Sequence, residues 1–432
     1  MKLSISLALT AFTSVIVAQG ASTHGVIKNS IAADLAQNSP QECAGVTNSD
    51  GECLGKHQTR KENLTKVPYR NAFPSKGFRR MYNNRNIVSS SHVVSLLSQK
   101  PKFQSDAGRI LSLTVDDFPI LKGLSVRHLL LKPGSVREPH WHANSDELAY
   151  CLRGQLLVTV FENENKFSTF TVSVGQMFYV PSGALHHLEN IGEEDAEVIL
   201  AFTHEKPEDF GLSGAFGAMS DAVLGNTYNL PAKSFQPFNR TTHDTVIGHR
   251  QSVASIPTEA RWGNPHKFDI EAMAAPISSL AGSAKTARKQ FWPILNDISM
   301  YSVRVTDKGM REPHWHPTTA EMGYVAQGSA RMTVMNPGGD LDTYLLQTGD
   351  VYFIPKAYPH HIENIGQGDI HFLIFFDQNT PGDIGYKASI SGYSRDTLTA
   401  AFDIASQNLP ILPFTPKDPL IVDRINPVDP IA

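Results

Sequence analysis

His140, His142, Glu147 and His186 are all residue types that ligate divalent metals, and the same types recur in the same order at His314, His316, Glu321 and His360. Three neutral imidazoles and one carboxylate make a donor set for Mn, Fe, Co, Ni, Cu or Zn. A six-coordinate ion held this way keeps two positions for water or a substrate. A lone histidine is ordinarily a packed or surface residue. Two sets with one internal spacing point instead to two metal centres.

The side chains can converge only if the backbone aims them. Residues two apart in a strand face the same way, so His140 and His142 point together while Trp141 faces the other side. A short turn then brings Glu147 to the same place, and His186 arrives from a later strand. His187 and His361, each following the last ligand, are expected to face away. The spacing is duplicated at an offset of 174 (140 to 314). Glu147 and Glu321, Gly154 and Gly328, Gly175 and Gly349, Pro181 and Pro355, and Asn190 and Asn364 keep that offset, as an internal duplication requires. Each copy has short, partly alternating runs rich in β-formers, such as 155–161 and 330–335, broken by turns at Gly175, Gly183, Pro337-Gly338-Gly339 and Gly349. The expected fold is all-β, two closed barrels or jelly rolls. Short helical arms are expected near 220–226 and 394–406, packing on a neighbouring barrel. The domain reading is 1–20 signal peptide, 21–75 polar extension, 76–245 first barrel, and 246–432 second barrel with a C-terminal arm.

Lys2, the mostly apolar stretch 3–17 and the small residues Ala18 and Gly20 have the pattern of a signal peptide cleaved after Gly20, so a secreted or periplasmic protein is expected. Net charge is −4 and the 38 basic residues form no long cluster, so no nucleic-acid partner is expected. No apolar run of about 18 residues occurs, and no membrane partner is expected. Cys43 and Cys53 could close a small loop in an oxidising compartment, leaving Cys151 as a buried core residue. Asn63 and Asn239 begin Asn-X-Thr sequons.

These motifs resemble those of the cupins. Gly134 to Gly154 fits the first cupin motif and Gly175 to Asn190 the second. The second copy departs at Gly309, one residue nearer its histidine, and at Ala357, where the motif has glycine. Within that superfamily the chain resembles the bicupin oxalate decarboxylases. The resemblance rests on Arg-Glu-Pro-His-Trp-His before both sites, on 328–334, and on Tyr150 and Tyr324 three residues after each ligand glutamate. It implies two manganese ions per chain, dioxygen as co-catalyst, and conversion of oxalate to formate and carbon dioxide in a homo-oligomer.

It also implies roles for Arg137 and Arg311 in polarising bound oxalate. A divalent ion with one glutamate leaves about +1, and a nearby arginine raises this to about +2, which suits a dicarboxylate. Strict alternation puts Arg137, three residues before His140, on the wrong face; a bulge at Pro139 would turn it inward. The family's catalytic lid has no copy here. Its place falls at 207–213, where Glu208 and Asp209 are the candidate acids, and the second barrel has Ile374 where the family has glutamate. Leu148 and Met322 stand where the family has tryptophan, while Trp141 and Trp315 match tryptophans that stack at subunit contacts. Oxalate oxidase, giving peroxide and carbon dioxide, and a non-catalytic ligand-binding bicupin remain as alternatives.

Overall fold

The computed structural model describes the backbone of 78–80 and residues 92–252, 255–413, 415 and 418–426. The signal peptide, the 21–75 extension, Cys43, Cys53 and the sequon at Asn63 lie outside the described residues.

Alternation along one strand shows how the molecule is layered. In Glu147–Arg153, Ala149 and Cys151 pack inside the first barrel with Val158, Phe178 and Leu188. Leu148 and Tyr150, facing the other way, pack with Met300, Met322, Tyr324 and Phe375 of the second barrel. The strand is buried on both faces because one lines a barrel and the other lines the contact between barrels. Glu321–Gln327 repeats this, with Val325 inside the second barrel and Met322 and Tyr324 between the two. Leu148 and Met322 therefore fill the space between barrels, and Cys151 is the buried core thiol its context suggested.

Among the described residues the strands form four sheets, two per barrel. The strands Ser135–His142, Glu147–Arg153, Gln155–Phe161, Gln176–Val180 and Leu185–Asn190 have partners in the second copy at the 174 offset. Strand pairing crosses the position 245/246. Ile247–His249 pairs with Ser135–His142, and Lys267–Asp269 pairs with Gln176–Val180 of the first barrel. Reciprocally, Val93–Ser95 pairs with Asp350–Ile354 of the second barrel. Each barrel thus receives an edge strand from the segment leading into the other. His92 and His266 pin this exchange, placing Nδ1 2.8 Å from the Phe353 carbonyl and 2.9 Å from the Tyr179 carbonyl.

The helical arms form where the sequence placed them. Asp221–Tyr228 and Arg395–Phe402 begin at Ser220 and Ser394, whose hydroxyls accept from the backbone N–H of Val223 and Thr397. Among the described residues no helix is long and apolar enough to cross a membrane.

Candidate metal centres

His140 and His142 lie on Ser135–His142, Glu147 opens the next strand, and His186 lies on Leu185–Asn190, which pairs with Ser135–His142. All four are buried, and their ligating atoms lie within 4.8 Å of one another. The same holds for His314, His316, Glu321 and His360. The turn that delivers the last histidine is kept even where its glycine is lost. Gly183 N–H donates to the His142 carbonyl at 2.9 Å, and Ala357 N–H to the His316 carbonyl at 2.9 Å. Ala357 holds a left-handed φ of 64°, which costs an L-residue about 1–2 kcal/mol.

The hydrogen bonds orient each imidazole for an ion. Nδ1 lies against backbone carbonyls in His140 (Glu138, 2.8 Å), His186 (Ala184, 3.0 Å), His314 (Glu312, 2.7 Å) and His360 (Tyr358, 2.9 Å). That fixes the proton on Nδ1 and turns the Nε2 lone pair to the centre. Nε2 of His186, His314 and His360 and Oε1 of Glu147 are buried without a hydrogen-bond partner. Buried polar atoms are normally satisfied, so these orphaned donor atoms, converging in both copies, fit a divalent ion. Burial, followed by the charge of Arg137, holds His140 well below the ordinary imidazole value, and burial with Arg311 does the same to His314. Both stay neutral, as ligation requires.

The bulge that the sequence required is present. His140 pairs with His186, but Arg137 pairs with Leu188, so three residues on one strand match two on the other. His314 and Arg311 repeat it against His360 and Ile362. Arg137 and Arg311 are consequently buried. Each is held by a carbonyl from the residue just before a short strand that pairs with its own: Arg137 donates to Val246 at 3.2 Å, and Arg311 to Leu420 at 2.8 Å. Val246 and Leu420 are both left-handed, with φ of 66° and 62°. Such strain, about 1–3 kcal/mol each, tends to persist where the surroundings use it.

The segment expected to be an acidic lid is built differently. Asp209–Gly211 is a strand paired with Ser135–His142. Asn144 clamps its approach, accepting from Glu208 N–H at 2.9 Å and donating to the Lys206 carbonyl at 3.1 Å. Glu208 is exposed. The Asp209 carboxylate instead meets His142 Nδ1 at 2.7 Å and the Arg127 guanidinium at 2.6 and 3.1 Å, with Arg137 at 3.7 Å. Burial pushes its carboxyl up, but the His142 hydrogen bond and the charge of Arg127 outweigh it and hold the group well below the usual carboxylate range. A carboxylate so held orients a ligand histidine; it is a poor proton donor. Ile374 is buried inside the second barrel, so no acid stands there.

Sequence reasoning missed Asp383, whose carboxylate stands 2.7 Å from His316 Nδ1, a nitrogen hydrogen-bonded at 3.2 Å to the Gly382 carbonyl, and pairs with Arg311 at 2.7 Å. It lies 174 residues beyond Asp209, and the repeat offset is the signal that could have found it. Arg127 and Tyr352 were also missed. They occupy positions where the copies differ: Tyr301 replaces Arg127, and Phe178 stands where the second copy has Tyr352.

The fold and the sites together define a duplicated β-barrel protein with one buried three-histidine, one-glutamate centre per barrel. The chain belongs to the cupin family, whose domain matches twice, over residues 94–235 and 271–409. It is similar to the oxalate decarboxylase OxdC of Bacillus subtilis, with 28% identity covering 71% of this chain and 80% of that protein. It is also similar to an oxalate decarboxylase of Arthroderma benhamiae, with 25% identity over 69% and 76%. A solved structure of the Bacillus subtilis oxalate decarboxylase, determined in work on its Mn(II) centres, superposes with a TM-score of 0.70 at 23% identity, covering 89% of this chain and all of that one.

Proposed function

We propose that this protein is a manganese-dependent bicupin acting on oxalate as an oxalate decarboxylase-like carboxy-lyase, with dioxygen as co-catalyst, exported from the cell and working as a homo-oligomer. The observation that carries the reading is the buried guanidinium beside each metal centre, Arg137 in the first barrel and Arg311 in the second. Two relatives aligned over 71% and 69% of the chain are oxalate decarboxylases.

The charges favour the first barrel. With a divalent ion, Arg127 and Arg137 against Glu147 and Asp209 leave about +2. Arg311 alone against Glu321 and Asp383 leaves about +1. A dicarboxylate dianion is better matched by the first. When bound, the metal supplies a Lewis-acidic, redox-capable centre for one end of oxalate. Arg137, buried and held by the Val246 carbonyl, orients the carboxylate before it. Asp209 holds the His142 ring and balances the two arginines. The Ser135–His142 bulge supplies the inward aim of Arg137.

A second reading, oxalate oxidase, is favoured by one observation: Asp209 is committed to His142 and Arg127, and Glu208 faces solvent, so neither is poised to protonate a decarboxylated product. The experiment is to load the full chain with manganese, confirm occupancy, add oxalate at mildly acidic pH, and assay formate and hydrogen peroxide together. Formate without peroxide supports the decarboxylase. Peroxide without formate replaces it with the oxidase, and neither product from the loaded protein removes oxalate as the substrate.

A further inference from the structure

The two centres have the same four ligands but not the same ligand glutamate. In the second barrel the Tyr352 hydroxyl donates to Glu321 Oε1 at 2.6 Å. The other oxygen, Oε2, faces the imidazoles, 2.7 Å from His316 Nε2 and 3.5 Å from His360 Nε2. In the first barrel the equivalent position is Phe178, which has no hydroxyl, and Glu147 Oε1 is buried with no partner. Glu147 Oε2 faces its own imidazoles at 2.9 and 3.6 Å.

A second substitution makes room for the tyrosine. Gly323 pairs with Tyr352 across neighbouring strands, and a Cβ at 323 would overlap the ring and hydroxyl of Tyr352. The first copy has Ala149 paired with Phe178. Glycine with tyrosine in one barrel and alanine with phenylalanine in the other are matched solutions to one packing problem. Tyr352 is fully buried. A buried hydroxyl needs a partner, and the ligand carboxylate is the one it has.

We propose that Tyr352, seated over Gly323, is a positioning residue that restricts Glu321 to ligation through one oxygen and draws electron density from it, making the second metal centre chemically distinct from the first. In the first barrel Glu147 keeps its second oxygen free to chelate the ion or to accept a proton from a bound water or substrate. This rests on metal binding at both centres, and not on the identity of the substrate. Partners of a metal ligand typically set affinity by about ten- to a hundredfold.

The test reads each centre alone in the full chain, the second in a His186→Ala background and the first in a His360→Ala background. The probe is Mn(II), followed by its electron paramagnetic resonance fine structure and by equilibrium titration. The unsubstituted positions should give two different fine structures. Tyr352→Phe should move the second centre's fine structure toward that of the first and shift its Mn(II) affinity by about ten- to a hundredfold, leaving the first unchanged. The paired exchange Ala149→Gly with Phe178→Tyr should move the first centre's fine structure toward that of the second. Unchanged fine structure and affinity in Tyr352→Phe overturn the proposal, whether or not the paired exchange folds. Absence of Mn(II) binding at both centres of the unsubstituted chain overturns the metal reading itself, and the proposal with it.

Discussion

The carboxylate of Asp209 lies 2.7 Å from Nδ1 of His142, and 174 residues later Asp383 lies 2.7 Å from Nδ1 of His316. In each barrel the chain returning after the last barrel strand therefore ends on a metal ligand and orients it from behind. The contact makes the 207–213 segment part of the centre's construction. It also ties ligand geometry to Arg127 and Arg137 in one barrel and to Arg311 in the other.

Asp209→Asn keeps the shape of the side chain but removes its charge. Mn(II) affinity at the first centre is expected to fall about ten- to a hundredfold, with the second centre unchanged; Asp383→Asn should do the converse. Equilibrium titration of each variant checks both, and equal losses at both centres from either substitution would contradict the local role.

Metal binding at the second centre should release a proton. Burial pulls His316 down, but the carboxylates of Asp383 and Glu321 beside it outweigh this and push it up to about 9. Below that pH the metal-free ring is protonated, and an ion must displace the proton. Affinity at the second centre should therefore rise about tenfold per pH unit between 6 and 9, with ~1 proton released at pH 7. Titration in weakly buffered solution with a pH indicator measures it, and a flat profile would show that His316 is neutral before the ion arrives.

Arg137→Gln should lower kcat/KM for oxalate by about 2–3 kcal/mol, a factor of ~30 to 150, the usual cost of losing a hydrogen bond to a charged group. Arg311→Gln should cost much less, because the less positive second centre is the poorer host for a dianion. Steady-state kinetics on metal-loaded variants decide this. An equal loss from both substitutions would mean that both barrels turn over substrate.

Glu208→Gln should leave turnover within about twofold and the product ratio unchanged, as expected for an exposed side chain away from packing and partners. Assaying formate and peroxide in parallel gives the ratio. A shift from formate toward peroxide would restore Glu208 as the proton donor.

The metal ligands were legible because each lies within a short stretch whose period-2 pattern sets its facing, and because the stretch is repeated. Tyr150 and Tyr324 were visible as matches but not as residues between barrels, since alternation reports two faces without saying what covers each. The bulge could be stated as a requirement at Pro139. Only the pairing of Arg137 with Leu188 decided that it exists, because a register shift belongs to two strands and is written in neither alone.

By itself the sequence determined the duplication, the all-β class and the eight ligands, through local periodicity and composition. The tertiary structure alone decided the strand exchange between barrels, the commitment of Asp209 to His142, and the Tyr352 hydroxyl on Glu321. These are contacts between residues 67 and 31 positions apart in the chain, and longer for the exchanged strands. Such contacts are selected by the packing of whole sheets, so no local pattern encodes them.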